Sequence, residues 1–142
     1  MSRPDAPDRL SLVVFSGSFE KAHYALVMAS AALSVGTPVT LFYTMGAARA
    51  LLAEGGWQQL PTEDGTADAA ALDARFRERG VAGYEELLAA VVALEGRVLV
   101  CEMGLRALGL ERAALRADVP VETGGVVTFL NDASRDGGML FI

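Results

Sequence analysis

A single cysteine, a single histidine and a single tryptophan occur among the 142 residues. One cysteine excludes an intramolecular disulfide, and one cysteine with one histidine cannot build the usual zinc site, so no metal and no cofactor is expected. Basic residues are also in the minority: 12 Lys and Arg face 18 Asp and Glu, a net charge of −6. That balance lacks the electropositive footprint of a nucleic-acid binder. Arg75, Arg77 and Arg79 alternate with Asp73 and Glu78, as on a solvated helix face. Long apolar runs are missing too. The most apolar stretch, Ala22–Val35, contains His23 and two serines and falls short of the ~20 residues that cross a bilayer. Met1–Arg9 is polar, with Pro4 and Pro7, and has no cationic and apolar leader pattern, so a reducing cytoplasm is the expected setting. Neither an internal repeat nor a low-complexity tract is seen.

What is present is a core. Apolar residues make up 52% of the chain, and this length suits one domain that buries about two-thirds of its unfolded surface. The order of elements is read from β-branched runs, helix formers and glycine stops. Strands are expected at Leu10–Ser16, Val39–Thr44, Arg97–Glu102, Val119–Glu122 and Gly138–Ile142. The fourth is assigned to the sheet margin because of Pro120. Helices are expected from Phe19 to Leu33, Met45 to Leu52, Ala69 to Arg79, Tyr84 to Leu94, Gly104 to Leu108 and Val126 to Ala133, with a further turn at Glu111–Leu115. Alternating strand and helix predicts one α/β domain spanning 1–142, a three-layer α/β/α arrangement on an open, mostly parallel sheet of about five strands. Residues 57–80 are read as an insert or flap. Trp57 within them either fills the core edge or covers a pocket.

In open parallel sheets, ligands and chemistry gather at the carboxyl ends of the strands. Three loops fall there: Ser16-Gly17-Ser18, Thr44-Met45-Gly46 and Cys101-Glu102-Met103-Gly104. A helix directly after Cys101 would aim backbone N–H groups at the sulfur and favour the thiolate. The same residue read blandly is a small buried hydrophobe. Glu102 would oppose a thiolate if it faced the sulfur, but alternation along a strand can turn it away. His23, near the start of the long helix, is either a base for Cys101 or a hydrogen-bonded helix histidine. Met45 and Met103 are either pocket lining or gap filler. Neither Ser16-Gly17-Ser18 nor Gly124-Gly125 carries the full phosphate-binding fingerprint, so a nucleotide site is not expected.

Five segments together resemble the DsrE/DsrF-like family of sulfur-relay proteins, in its DsrE-like "peroxiredoxin family" branch. They are Val14-Phe15-Ser16-Gly17 with Lys21, Val39–Thr44, Glu85-Glu86-Leu87-Leu88, Val100-Cys101-Glu102-Met103 with Gly109, and Glu122-Thr123-Gly124-Gly125-Val126. The resemblance covers nearly the whole chain. It implies a three-layer α/β fold, homo-oligomers such as trimers or hexamers, and a cysteine at position 101 that carries sulfane sulfur as a persulfide between a donor and an acceptor protein. Ser16, Gly17, Lys21, His23, Thr44, Met45, Glu102, Met103 and Gly104 are then the residues that would line or tune the site. The chain departs from the family pattern at Gly104, where a small hydroxyl residue is common, and at the polar Trp57–Arg79, where a Met-rich insert is frequent. Two other readings of the same residues are an oligomeric small-ligand-binding protein with an inert cysteine, and a redox-sensing thiol. The near-continuous apolar character of Ala22–Leu33 suggests burial on more than one side, with a neighbouring subunit as the second.

Overall fold

The computed structural model describes residues 5–142, so the first four residues of the polar Met1–Arg9 lead, Pro4 included, lie outside it. Five strands, β1 (Leu10–Val14), β2 (Val39–Tyr43), β3 (Arg97–Cys101), β4 (Val121–Gly124) and β5 (Gly138–Phe141), form one sheet in the order β4-β3-β2-β1-β5. Every pairing is parallel. The helices are α1 (Phe19–Ser34), α2 (Ala69–Glu78), α3 (Tyr84–Ala93), α4 (Glu102–Ala107) and α5 (Val126–Asp132). From β1 to β4 the chain steps in one direction across the sheet, so right-handed crossovers stack its helices on one face. The return from β4 to β5 sends α5 to the other.

Alternation along the strands assigns the two faces. Leu12, Val14, Leu41, Tyr43, Val98 and Val100 point into the large core, which they share with Phe19, Leu26, Leu88 and Val91 of α1 and α3. Phe42, Leu99 and Cys101 point the other way and meet only Phe129 of α5, with Val13 half-buried beside them. All five residues of β2 are buried, as expected of the strand covered on both sides. α1 begins on a Ser18 cap, whose Oγ accepts from Lys21 N at 3.2 Å. It ends at Gly36, whose φ of +88° is left-handed and free for glycine.

Several boundaries differ from the sequence reading for local reasons. Met45–Leu51 is a 3₁₀ turn, and α4 begins at Glu102, so that Cys101 closes β3 and caps α4 at once. β4 runs from Val121 to Gly124, two residues later than expected, because Pro120 has no N–H to give the ladder. It does lie at the sheet margin. Residues 57–80 are packed rather than appended: Trp57, Leu60 and Ala69 are in the core, Phe19 N donates to Pro61 O at 2.9 Å, and Tyr84 N donates to Asp73 Oδ1 at 2.7 Å. α1 rests on the sheet and α3, leaving Lys21, Tyr24 and Ala31 exposed. Further apolar side chains are exposed on the α5 side: Met139 and Phe141 of β5 and Val126, Val127 and Leu130 of α5. Among the described residues no helix is long and apolar enough to cross a membrane.

Candidate functional site

The carboxyl edge of the sheet is closed by backbone pressed on backbone. A Cβ built at Gly17 would meet Gly46 main-chain atoms at 3.3 Å, and one at Gly104 would meet Met45 N and Thr44 Oγ1, each at 2.8 Å. Glycine at 104 is therefore a packing requirement of the contact between α4 and the β2 loop. It explains why this chain has no hydroxyl side chain there. Between the two contacts Met45 takes a φ of +50°, a left-handed conformation that is uncommon for a side-chain-bearing residue.

Cys101 sits beneath this closure. Its Sγ accepts from Gly104 N at 3.4 Å, the bond expected of an N-capping residue. The residue is 1% exposed, within a cluster of Phe42, Leu99 and Phe129. Glu102 points outward and is exposed, and Met103 is 59% exposed, so neither shares the cluster around the sulfur. The sulfur thus has one amide donor and apolar walls, and it is kept from water.

Other candidates are distributed differently. Ser16 Oγ accepts from Ser18 N at 3.1 Å, which shapes its own loop. Thr44 is buried against Gly104, and Met45 is half-buried. Lys21 pairs with Glu63 at 3.5 Å on the surface. His23 is not brought to Cys101. Its Nε2 donates to Ala82 O at 2.9 Å, and its ring lies 5.7 Å from Phe19 and 5.1 Å from Phe76, on the α1 side of the sheet. It belongs to a closed aromatic cluster with Trp57 and Tyr84, whose rings stack at 4.9 Å. Burial pushes the phenols of Tyr43 and Tyr84 well above their ordinary value, so both stay neutral.

Sequence reasoning missed the walls of the thiol. Leu99 was accessible through alternation, two residues before Cys101. Phe129 was not, because nothing local links a helix near the C-terminus to β3. The anchor of that helix was missed too. Asp132 accepts from Thr40 Oγ1 and from Arg97 Nη1, each at 2.5 Å, with Arg9 at 3.8 Å, and Arg97 Nε also donates to Glu122 at 2.6 Å. Burial pushes the Asp132 carboxyl up. The Thr40 hydroxyl and the Arg97 and Arg9 guanidiniums outweigh it, and the net position is below the usual carboxylate range.

Fold and site together define an open, all-parallel α/β/α domain with a thiol at the end of an inner strand. Among solved structures of this class, the ychN protein from E. coli is similar: it has a DsrE-like fold and superposes with a TM-score of 0.55 at 17% identity, over 94% of this chain and 99% of that one. No family model matches the chain, and no curated protein matches its sequence.

Proposed function

We propose that this chain is a DsrE/DsrF-like sulfur-relay protein that carries sulfane sulfur on Cys101 in a reducing, cytoplasmic setting. The observation that supports it most is the position of Cys101 as both the end of β3 and the cap of α4, with the Gly104 amide donating to its sulfur. In the proposed cycle the Cys101 thiolate attacks the terminal sulfur of a donor persulfide, RS–SH. The donor S–S bond breaks, the donor leaves as its thiolate, and Cys101–S–SH forms. An acceptor thiolate then attacks the terminal sulfur and regenerates Cys101–S⁻. The Gly104 amide stabilises the sulfur anion at each end of the cycle, as a charge-assisted hydrogen bond does. Incubation with a persulfide donor followed by intact-mass measurement tests this. Wild type gains one sulfur atom and Cys101→Ser gains none; no gain on wild type, or equal gain on both, refutes it.

The 1% exposure of Cys101 favours a second reading, a ligand-binding scaffold with an inert cysteine. Native-state alkylation that never outruns global unfolding supports that reading. Either function is compatible with self-association. Parallel sheets are ordinarily covered on both faces, whereas the β1–β5 half of this one exposes Phe141 at 70%, its ring tilted against that of Phe15 with centroids 5.2 Å apart. A second copy would cover it. Light scattering should report an oligomer that Phe141→Lys dissociates, and a monomeric wild type would refute it.

A further inference from the structure

We infer that α5 is the gate of the Cys101 site, with Phe129 as its plug and Asp132 as its latch. The inference rests on Cys101 being the reactive group, but it concerns access rather than sulfur chemistry. Every other element around the sulfur is locked. β3 is hydrogen-bonded on both sides, by β2 and β4, and α4 is pressed onto Thr44 and Met45 with no room to spare. α5 is held differently. Of its residues only Phe129 is buried, stacked on Phe42 with ring centroids 4.9 Å apart, and this is the one side chain that closes the cluster around Cys101 from the helix side.

The two ends of α5 complete the device. Its N-cap is Gly125, which makes no side-chain capping bond and has open space around it, directly after Gly124. Its last residue, Asp132, is tied to Thr40 on β2 and Arg97 on β3. A short helix fixed by one buried ring, one carboxylate and the contact of Thr128 with Gly124, with the open Gly125 at its start, is the segment that opens before the rest of the fold. Opening uncovers Cys101 Sγ to a donor or acceptor; closure keeps a bound persulfide from water and stray thiols.

The test is the alkylation rate of Cys101 by iodoacetamide in the native full-length chain, read by intact mass. Wild type should react far more slowly than a free thiol. Phe129→Ala should accelerate it roughly a hundredfold, as expected for loss of a buried aromatic, whereas Phe129→Leu should change it only a few-fold. Asp132→Asn, remote from the sulfur, should accelerate it roughly fivefold by weakening the latch. Leu26→Ala, in the core on the other face, destabilises the whole fold and should leave the native rate unchanged. The gate is overturned if wild type reacts like a free thiol, if Phe129→Ala has no effect, or if Leu26→Ala accelerates labelling as much as Phe129→Ala. None of these outcomes depends on whether Cys101 takes up sulfur, so failure of the gate and failure of the relay are separable.

Discussion

Replacing Gly104 with alanine isolates the contact that closes the site. The added methyl would lie 2.8 Å from Met45 N and 2.8 Å from Thr44 Oγ1, both inside van der Waals contact. One of these is backbone, already in a left-handed conformation at Met45, and cannot swing aside. Overpacking of this kind costs about 1–3 kcal/mol. Alanine returns up to about 1 kcal/mol through helix propensity in α4. The balance is a net loss of about 1 kcal/mol, with α4 displaced from the β2 loop and the Gly104 amide drawn away from Cys101 Sγ. Thr44→Ala removes one of the two clashes, so the double variant should recover part of the loss but not all of it. Urea denaturation of the four proteins gives the cycle. If Gly104→Ala is neutral or stabilising, or if Thr44→Ala restores it completely, the glycine is not there to admit the backbone contact.

Removing the carboxylate with Asp132→Ala strands the buried Thr40 hydroxyl and one arm of Arg97, and should cost about 2 kcal/mol by urea denaturation, with a double-mutant cycle against Arg97→Ala showing coupling. Because the folded-state pKa of Asp132 lies below its unfolded value, the stability it supplies is complete above about pH 4 and is lost as pH falls through the folded value. Wild type should therefore lose more stability on acidification than Asp132→Asn; parallel pH profiles would exclude the linkage. His23→Ala should cost about 3 kcal/mol through the cavity and the unpaired Ala82 carbonyl, while sulfur loading of Cys101 under native conditions stays intact. A loading defect larger than the fraction unfolded would restore His23 as a partner of the thiol.

The order of elements was legible because strands and helices differ in period and are punctuated by glycine. Leu10–Val14 and Val39–Tyr43 are dense in β-branched and aromatic residues, and Gly36 marks the end of α1 without ambiguity. Short elements were less legible. Met45–Leu51 has the composition of an α-helix, but it turns as 3₁₀ because Met45 and Gly46 are held by the neighbouring loop rather than by their own propensities. The position of Cys101 at a strand end could be read from one line of residues. Its neighbours could not: the proximity of Phe129 depends on the return crossover passing over the opposite face, a consequence of sheet order. His23 shows the converse. The α1 start and the β3 end do share the carboxyl edge of the sheet, but His23 and Cys101 lie on opposite faces of it, and one-dimensional spacing carries no information about faces.

That division of faces explains why this sequence is so economical with functional residues. One face, beneath α1 and α3, holds the aromatic cluster, the buried tyrosines and nearly all of the stabilising apolar contact. The other face is thin: a single short helix whose one buried ring stacks on Phe42, and a carboxylate latch. A thiol on the thick face would be reachable only by unfolding the domain. A thiol on the thin face is buried at equilibrium and still separated from solvent by a segment whose displacement sacrifices little of the core. Most of the stabilising core lies away from Cys101, so substitutions beneath α1 should lower the unfolding free energy without changing native access to the cysteine, whereas substitutions of Phe129 or Asp132 in α5 should change that access as well as lowering stability.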